Sequence, residues 1–566
     1  MRFRIICLIF AVIGLFFYCG DGNQAGGEDS MNPSGGDIDI NAQGYSDSGI
    51  VRVPLITWGA DLITVYANGG TLKTSQGSLF QKYNLNMELF REDDFQKQIN
   101  EYISGKSPYL RGTMGMINMA AESIKQYPEL KLVVIFQHSW SAGGDALVVK
   151  PGIKAVKDLK GKSIAIQKNG PHLAYCMKLL SDAGLSDKDV NIVWTNDLVG
   201  PDGDTPMAKF YKSNIDAAFV IIPDALALTS SGTIGTGAED SVKGAVILLS
   251  TKTANRIISD VYAVRKDYFE KNRDSVKNFV HALFIAEEQV RDLFKNSKSE
   301  SFKKFITAGA KILLDSSEAG ADMAGMFYDA EMSGFQGNVK FFSDKNFLRR
   351  FERLNEEIQT SFSRLGIMSG RREVLNANWD YNEFRSGLVY ADNVEVPKFE
   401  KDTVAAVITK RQQTASPESG ELFSFEIFFQ PNQHEFSANL YREQFDKVID
   451  FSSTYGGAII TIEGHSDPMG YLRKKKEGET EVLLKKIEQA AKNLSLSRAN
   501  SVRDELIQFA RDKGITLDPS QFATVGHGIE KPVYALPQSD KEWLANMRVE
   551  FKIIQIEAEE NVFKKL

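Results

Sequence analysis

Cysteine is nearly absent from this chain: there are three in 566 residues, and two of them, Cys7 and Cys19, fall within the first twenty. That excludes a disulfide framework and a Cys-rich metal site. Cys176, left alone inside a helical pattern, reads as a small buried hydrophobe. A basic excess is missing too, with 67 Lys and Arg against 74 Asp and Glu and a net charge of −7. Such a surface has no polybasic patch to grip nucleic acid. No G-x-S-x-G, H-E-x-x-H or P-loop occurs, so catalysis is not expected, and neither is a metal or a cofactor. No internal repeat occurs, and no transmembrane segment follows the leader. What is present is ordinary globular material, 43% apolar and 25% charged, at a length that calls for two or three domains.

Residues 1–19 form a leader. Arg2 and Arg4 precede an apolar run, Ile5 to Tyr18, that is shorter than the roughly 20 residues of a spanning helix. With Cys19 closing the run, the leader resembles a bacterial lipoprotein signal, which implies lipidation of Cys19 and a membrane anchor. Tyr18 stands where that signal has a small residue, so an uncleaved anchor and ordinary secretion remain as alternatives. Export follows in each case. Residues 20–48, rich in Gly, Asp, Ser and Asn, read as a flexible tether with an end-to-end distance on the order of 30 Å.

Residues 49–400 read as one unit. The strands "NMELFR", "KLVVIF", "DALVVK", "KSIAIQ", "VNIVW" and "IDAAFVII" alternate with helical patterns, which predicts α/β lobes with largely parallel sheets. A long amphipathic helix is expected over 271–294, its stripe running through Val276, Phe279, Val280, Leu283, Phe284, Val290, Leu293 and Phe294. His281 beside that stripe is expected to be structural. After the strand "KSIAIQ" a helix opens at Pro171 and closes near Gly184. Its N-terminus aims free N–H groups past the strand's carboxyl edge, where ligands bind in open α/β sheets. Asn169, Gly170 and His172 are placed to touch one.

The run "GGDALVVKPGIKAVKDLKGKSIAIQKNGPHLAY", with "DVNIVW" and "SNIDAAFVIIPDALAL" after it, resembles periplasmic substrate-binding proteins of ABC importers. The branch it resembles is that of sulfonate, nitrate and thiamine-precursor binders. The resemblance implies a two-lobed type II fold, a small solute in the cleft, an ABC permease as partner and a periplasmic location. Trp58, Ser141, Asp145 and Asp224 then join Asn169, Gly170 and His172 as cleft residues. Asp145 and Asp224 favour a zwitterionic or cationic solute over a plain anion. Thiamine-pyrimidine synthases of this fold rely on a Cys-rich motif that this chain lacks. A ligand sensor or a cell-wall tether is the alternative to import.

Residues 401–420, ending in the polar "KRQQTASPESG", read as a linker. Beyond it, residues 421–566 alternate strand and helix. Ser495 is expected to cap a helix that closes at Gly514, which puts Arg498 in the first turn, a poor place for a cation. "IEGHSDPMG", "LSLSRANSV", "VGHGIEKP" and "NMRVEF", in this order, resemble the OmpA-like peptidoglycan-binding domain, an α+β fold with helices on one side of its sheet. The resemblance implies that Asp467 and Arg498 clamp the zwitterionic end of a diaminopimelate-type stem peptide, with Asn432 assisting. It also implies that His465 is a structural hydrogen-bonding residue. Two departures stand out. A charged helical stretch, "KKKEGETEVLLKKIEQ", is inserted between Asp467 and Arg498, and Met547 replaces an Arg.

Overall fold

The computed structural model describes residues 42–45, 49–392, 421–428 and 441–554. Cys19, the linker 401–420 and Asn432 lie outside the described residues. The apolar runs of the first region form two five-stranded sheets. One holds Tyr109–Thr113, Leu132–Ser141, Ser259–Arg265, Ala330–Met332 and Val374–Asn376. The other holds Asp145–Val149, Ser163–Gln167, Asn191–Thr195, Ala217–Ile221 and Val246–Ser250. A parallel pair, Val51–Leu55 and Met87–Arg91, flanks the first sheet. The chain crosses between sheets twice, at 142–144 and at 251–258, with a lobe built around each sheet.

The expectation of largely parallel sheets is corrected. Asp145–Val149 runs antiparallel to both of its neighbours, Ala217–Ile221 and Val246–Ser250. Ser259–Arg265 is likewise antiparallel to Tyr109–Thr113 and to Leu132–Ser141. These strands arrive directly from the other lobe, not through a crossover helix, so nothing forces them parallel. Ser163–Gln167, whose links to its neighbours Asn191–Thr195 and Ala217–Ile221 do include helices, pairs parallel with both.

The long helix spans Arg273–Lys295 and buries Val276, Phe279, Val280, Leu283, Phe284, Val290 and Phe294. Four further helices, Glu300–Leu313, Gly320–Tyr328, Gly334–Ser343 and Phe351–Arg364, follow it. His281 sits at the boundary, with Nε2 2.7 Å from the Ser386 carbonyl and its ring edge-on to Tyr83 and Phe384. Residues 42–45, inside the stretch read as a tether, already lie against this body. The Gln43 N–H donates to the Ile103 carbonyl at 3.1 Å, and Arg265 donates to the Gln43 carbonyl at 2.9 Å.

The C-terminal region is a four-stranded sheet in the spatial order Glu421–Phe428, Arg548–Ile554, Ile459–His465, Phe522–Gly528. The last two are parallel because the helix Glu481–Asp512 carries the chain between them. Alternation sorts the faces. Ile460, Ile462, Val549, Phe551 and Ile553 are buried with Val448, Val502 and Leu506 of the helices. Thr461, Glu463 and His465 point the other way, and Glu550 pairs with Glu463 across the strands.

The helix start is also corrected. Thr480, not Ser495, is the cap, and the helix runs 32 residues from Glu481. The second half of the inserted stretch, Glu481 to Gln489, is rich in Glu, Lys and Leu, good helix formers, so the helix begins there, after a turn through Gly478 that ends the short helix Met469–Lys476. Ser495 therefore lies mid-helix, donating to the Lys492 carbonyl at 2.9 Å and accepting from the Gly528 N–H at 2.9 Å. Arg498 is far from the helix N-terminus, and no dipole penalty falls on it.

The two regions are bonded to each other. Asp450 accepts from Lys178 at 3.2 Å and from Arg353 at 2.7 Å, and the Tyr455 hydroxyl donates to Asp182 at 2.8 Å. The Gly457 N–H donates to the Thr253 carbonyl at 3.1 Å. A Cβ at Gly457 would fall 1.7 Å from the Lys252 carbonyl oxygen, so only glycine lets these main chains meet.

Candidate functional site

A polar cluster occupies the place where the chain crosses between lobes. Ser141, at the end of the Leu132–Ser141 strand, donates to Asp145 Oδ2 at 2.6 Å and meets Thr251 Oγ1 at 2.8 Å. The other Asp145 oxygen lies 2.7 Å from His172 Nε2, at the start of the helix His172–Asp182. Thr251 Oγ1 also accepts from the Gly143 and Asp145 N–H groups, each at 3.1 Å. These side chains are sealed: Ser141 is 1%, Asp145 6%, His172 0% and Thr251 0% exposed.

A second chain of bonds runs beside it. Trp58 Nε1 donates to Ser139 Oγ at 3.0 Å, and Ser139 to Asp260 at 3.4 Å. Arg111, wholly buried, bridges Asp260 at 2.9 Å and Asp61 at 2.8 Å. The Trp58 ring packs onto Gly144, where a Cβ would lie 2.5 Å from it. Asp329 sits against Gly143, and burial pushes its carboxyl up to about 6 despite the charge of Lys252. Burial also raises Asp224, which accepts from the Gly200 N–H at 3.0 Å.

Of the residues singled out from sequence, Ser141, Asp145 and His172 are directly linked, whereas Trp58 bonds to Ser139 on the separate neighbouring chain of bonds and Asp224 to the Gly200 N–H. Asn169 is half-buried in the turn before the helix. Gly170 is a packing position, because Gln167 fills the space its Cβ would need. Thr251, Ser139, Arg111, Asp260 and Asp329 were not anticipated. A charge centred in the apolar strand "YLRGT" is the one local signal among them.

In the C-terminal region Asp467 follows the strand Ile459–His465. Its oxygens accept from the Met469 N–H at 2.9 Å and from Asn546 at 3.0 Å. Gly464, three residues earlier, rests on the Ser495 carbonyl of the long helix, one turn before Arg498. Arg498 is 4% exposed, and burial lowers its pKa. His465 does not fill the hydrogen-bonding role expected of it. Neither ring nitrogen makes a hydrogen bond, the Glu550 carboxylate stands 3.6 Å off, and the ring stacks on His527 with centroids 5.0 Å apart.

The first region thus has the architecture of a two-lobed α/β protein with a closed polar cluster at the crossing. A family model described as NMT1/THI5 like matches residues 72–289. Over 177 residues the chain is 28% identical to the taurine-binding periplasmic protein of Escherichia coli (strain K12), covering 31% of this chain and 49% of that one. The chain therefore spans about half the length of the curated relative it matches. The periplasmic aliphatic sulphonate binding protein SsuA from Escherichia coli aligns with a TM-score of 0.39 and 15% identity, over 62% of this chain and 95% of that one. The periplasmic sulfonate-binding protein SsuA from Methylobacillus flagellatus KT aligns with a TM-score of 0.41 and 14% identity, over 61% and 96%. Among the described residues, no helix is long and apolar enough to cross a membrane.

Proposed function

We propose that this is an exported cell-envelope protein that binds a small solute between its two lobes, passes it to an ABC permease and holds to peptidoglycan through its C-terminal domain. A lipid on Cys19 is its membrane anchor. The observation that carries the solute reading is the closed Ser141–Asp145–His172–Thr251 cluster at the lobe crossing, within the part of the chain matched by the NMT1/THI5-like family model. Buried carboxylates at Asp145 and Asp224, with Asp329 beside them, suit a solute that carries a positive group, such as an aminosulfonate or an amino acid. Since the cluster is sealed, the solute enters only when the lobes part, and the crossings at 142–144 and 251–258 are where they pivot.

The cell-wall reading rests on the four ordered motifs and on Asp467 and Arg498. Asp467 accepts one bond at each oxygen, which leaves lone pairs for an ammonium group. An acid and a guanidinium near one strand end match a zwitterionic amino-acid terminus.

A thermal-shift panel of aminosulfonates, sulfonates, amino acids and pyrimidines on the full chain tests the solute reading. A solute at 100-fold over its Kd adds about 2.7 kcal/mol of apparent stability. The shift is expected with a zwitterion and lost in Asp145→Asn, and a panel with no shift at all refutes the reading. For the cell wall, Asp467→Ala and Arg498→Ala should each cut sedimentation with purified sacculi tenfold or more. Two variants that sediment like wild type would end that reading.

A further inference from the structure

We infer that the face of the C-terminal sheet turned away from its helices carries a divalent transition-metal site of the zinc type, built from Glu463, His465 and His527, with Glu550 at its edge. The three residues come from two neighbouring strands and are all buried, and their ligand atoms lie within 4.8 Å of one another. A zinc ion bound at about 2.0–2.2 Å holds its ligand atoms about 3.4 Å apart, so the side chains need to draw together by up to about 1.4 Å. Two imidazoles and a carboxylate suit zinc, cobalt or nickel, whereas calcium and magnesium prefer all-oxygen sets.

His465 supplies the second, independent observation. It is 1% exposed, yet Nδ1 has no hydrogen-bond partner and Nε2 faces the Glu550 carboxylate only at 3.6 Å. Buried polar groups are rarely left so. A metal ion would take the lone pair of one nitrogen. The rings of His465 and His527 stack with an interplanar angle of 27°, so binding one ion to both requires one ring to rotate about its side-chain bonds until the two lone pairs converge.

The neighbours that oppose the ion are equally definite. His527 Nε2 lies 2.8 Å from Glu463 Oε2, a bond the metal would replace. Lys552 Nζ stands 3.5 Å from Glu463 and 3.2 Å from Glu550, while Arg548 donates to Glu550 at 2.6 Å. Two cations thus already balance two carboxylates. The metal has to displace the Lys552 ammonium from Glu463, and the long lysine stem allows that movement. Occupancy is therefore a competition between the ion and Lys552, and it is independent of both the solute and the cell-wall readings.

The test uses the full chain, purified without a histidine tag and titrated with Zn2+ by calorimetry and with Co2+ by visible absorption. One Zn2+ per chain is expected, with a Co2+ absorption band of four-coordinate type. His465→Ala and His527→Ala should each weaken binding at least tenfold, while His281→Gln leaves it unchanged. Lys552→Met should tighten binding at least tenfold, a gain that a misfolded variant cannot mimic. Absence of stoichiometric binding in both wild type and Lys552→Met overturns the proposal. So does binding that survives both histidine substitutions in variants shown folded by circular dichroism.

Discussion

Both regions bury carboxylates beside histidines, and they resolve the cost in opposite directions. At the lobe crossing burial dominates, and Asp329 is pushed up to about 6 with only Lys252 opposing. In the C-terminal sheet burial also pushes Glu463 upward, but the His527 hydrogen bond and the charges of Lys552 and His527 outweigh it and hold the carboxyl at about 2. The difference lies in where the cations stand. Arg111 is spent on Asp61 and Asp260, which leaves little positive charge for Asp329, whereas Lys552 and Arg548 line the second cluster. A buried carboxylate is thus read correctly only together with the cation that faces it.

The largest effect is expected from removing the cation in the first region. Arg111→Met leaves Asp61 and Asp260 buried with no counter-ion, and breaking a buried pair in this way costs about 3–5 kcal/mol. Urea unfolding followed by tryptophan fluorescence measures it. A loss under about 1 kcal/mol would show that the two acids take up protons instead, and the contrast with the C-terminal cluster would narrow.

A smaller effect, set by pH, comes from Asp329. Its folded pKa of about 6 lies above the ordinary carboxylate value of 3.8, so the folded state binds the extra proton. The stability tied to that proton is present below about pH 4 and is lost as pH rises through 6. Wild type should lose about 2 kcal/mol across that window from this group, after allowance for its partial exposure. Asp329→Asn cannot ionise and should gain relative to wild type at pH 8 while matching it at pH 4. Denaturation at the two pH values decides the matter, and equal differences at both would remove Asp329 from the account.

Much of this fold is legible in the sequence because apolar runs bounded by polar turns mark strands wherever they pack. "DALVVK", "KSIAIQ" and "IDAAFVII" all form strands in the second sheet. Their direction is not legible, since it depends on which strand enters from the other lobe. The helix start at Ser495 is misread for a local reason: "LSLSRA" looks like a cap, while the Glu- and Lys-rich stretch before it has equal claim to helix. Asp145 and His172, 27 residues apart, are both marked by strand and helix ends, and they bond. Thr251 and Asp260 carry no such mark. Thr251 reaches Ser141, and Asp260 reaches Ser139 on the neighbouring chain of bonds, each from more than 100 residues away, through a crossing that only the folded chain reveals. His465 shows the converse, since its motif suggests a hydrogen-bonding role while the Glu550 carboxylate that faces it stands 3.6 Å away, beyond hydrogen-bond distance.

The smallest effect tests whether the two regions respond as one body. Tyr455 belongs to the C-terminal region, is wholly buried, and donates its hydroxyl to Asp182 at 2.8 Å. Asp182 lies at the far end of the helix that begins with His172, so this bond joins the second region to the element that holds the first cluster. Lys178 keeps Asp182 partnered at 2.8 Å when the hydroxyl is gone, so Asp182 is not left without a counter-charge. Tyr455→Phe should therefore cost only the bond to a charged acceptor, about 1.5 kcal/mol. If the regions unfold together, the whole transition shifts to lower denaturant with an unchanged slope. If they unfold separately, a second transition appears and hydrogen exchange quickens in Ile459–His465 while Asp145–Val149 stays protected. The second result would mean that the two clusters, alike in composition, belong to units that need not open together.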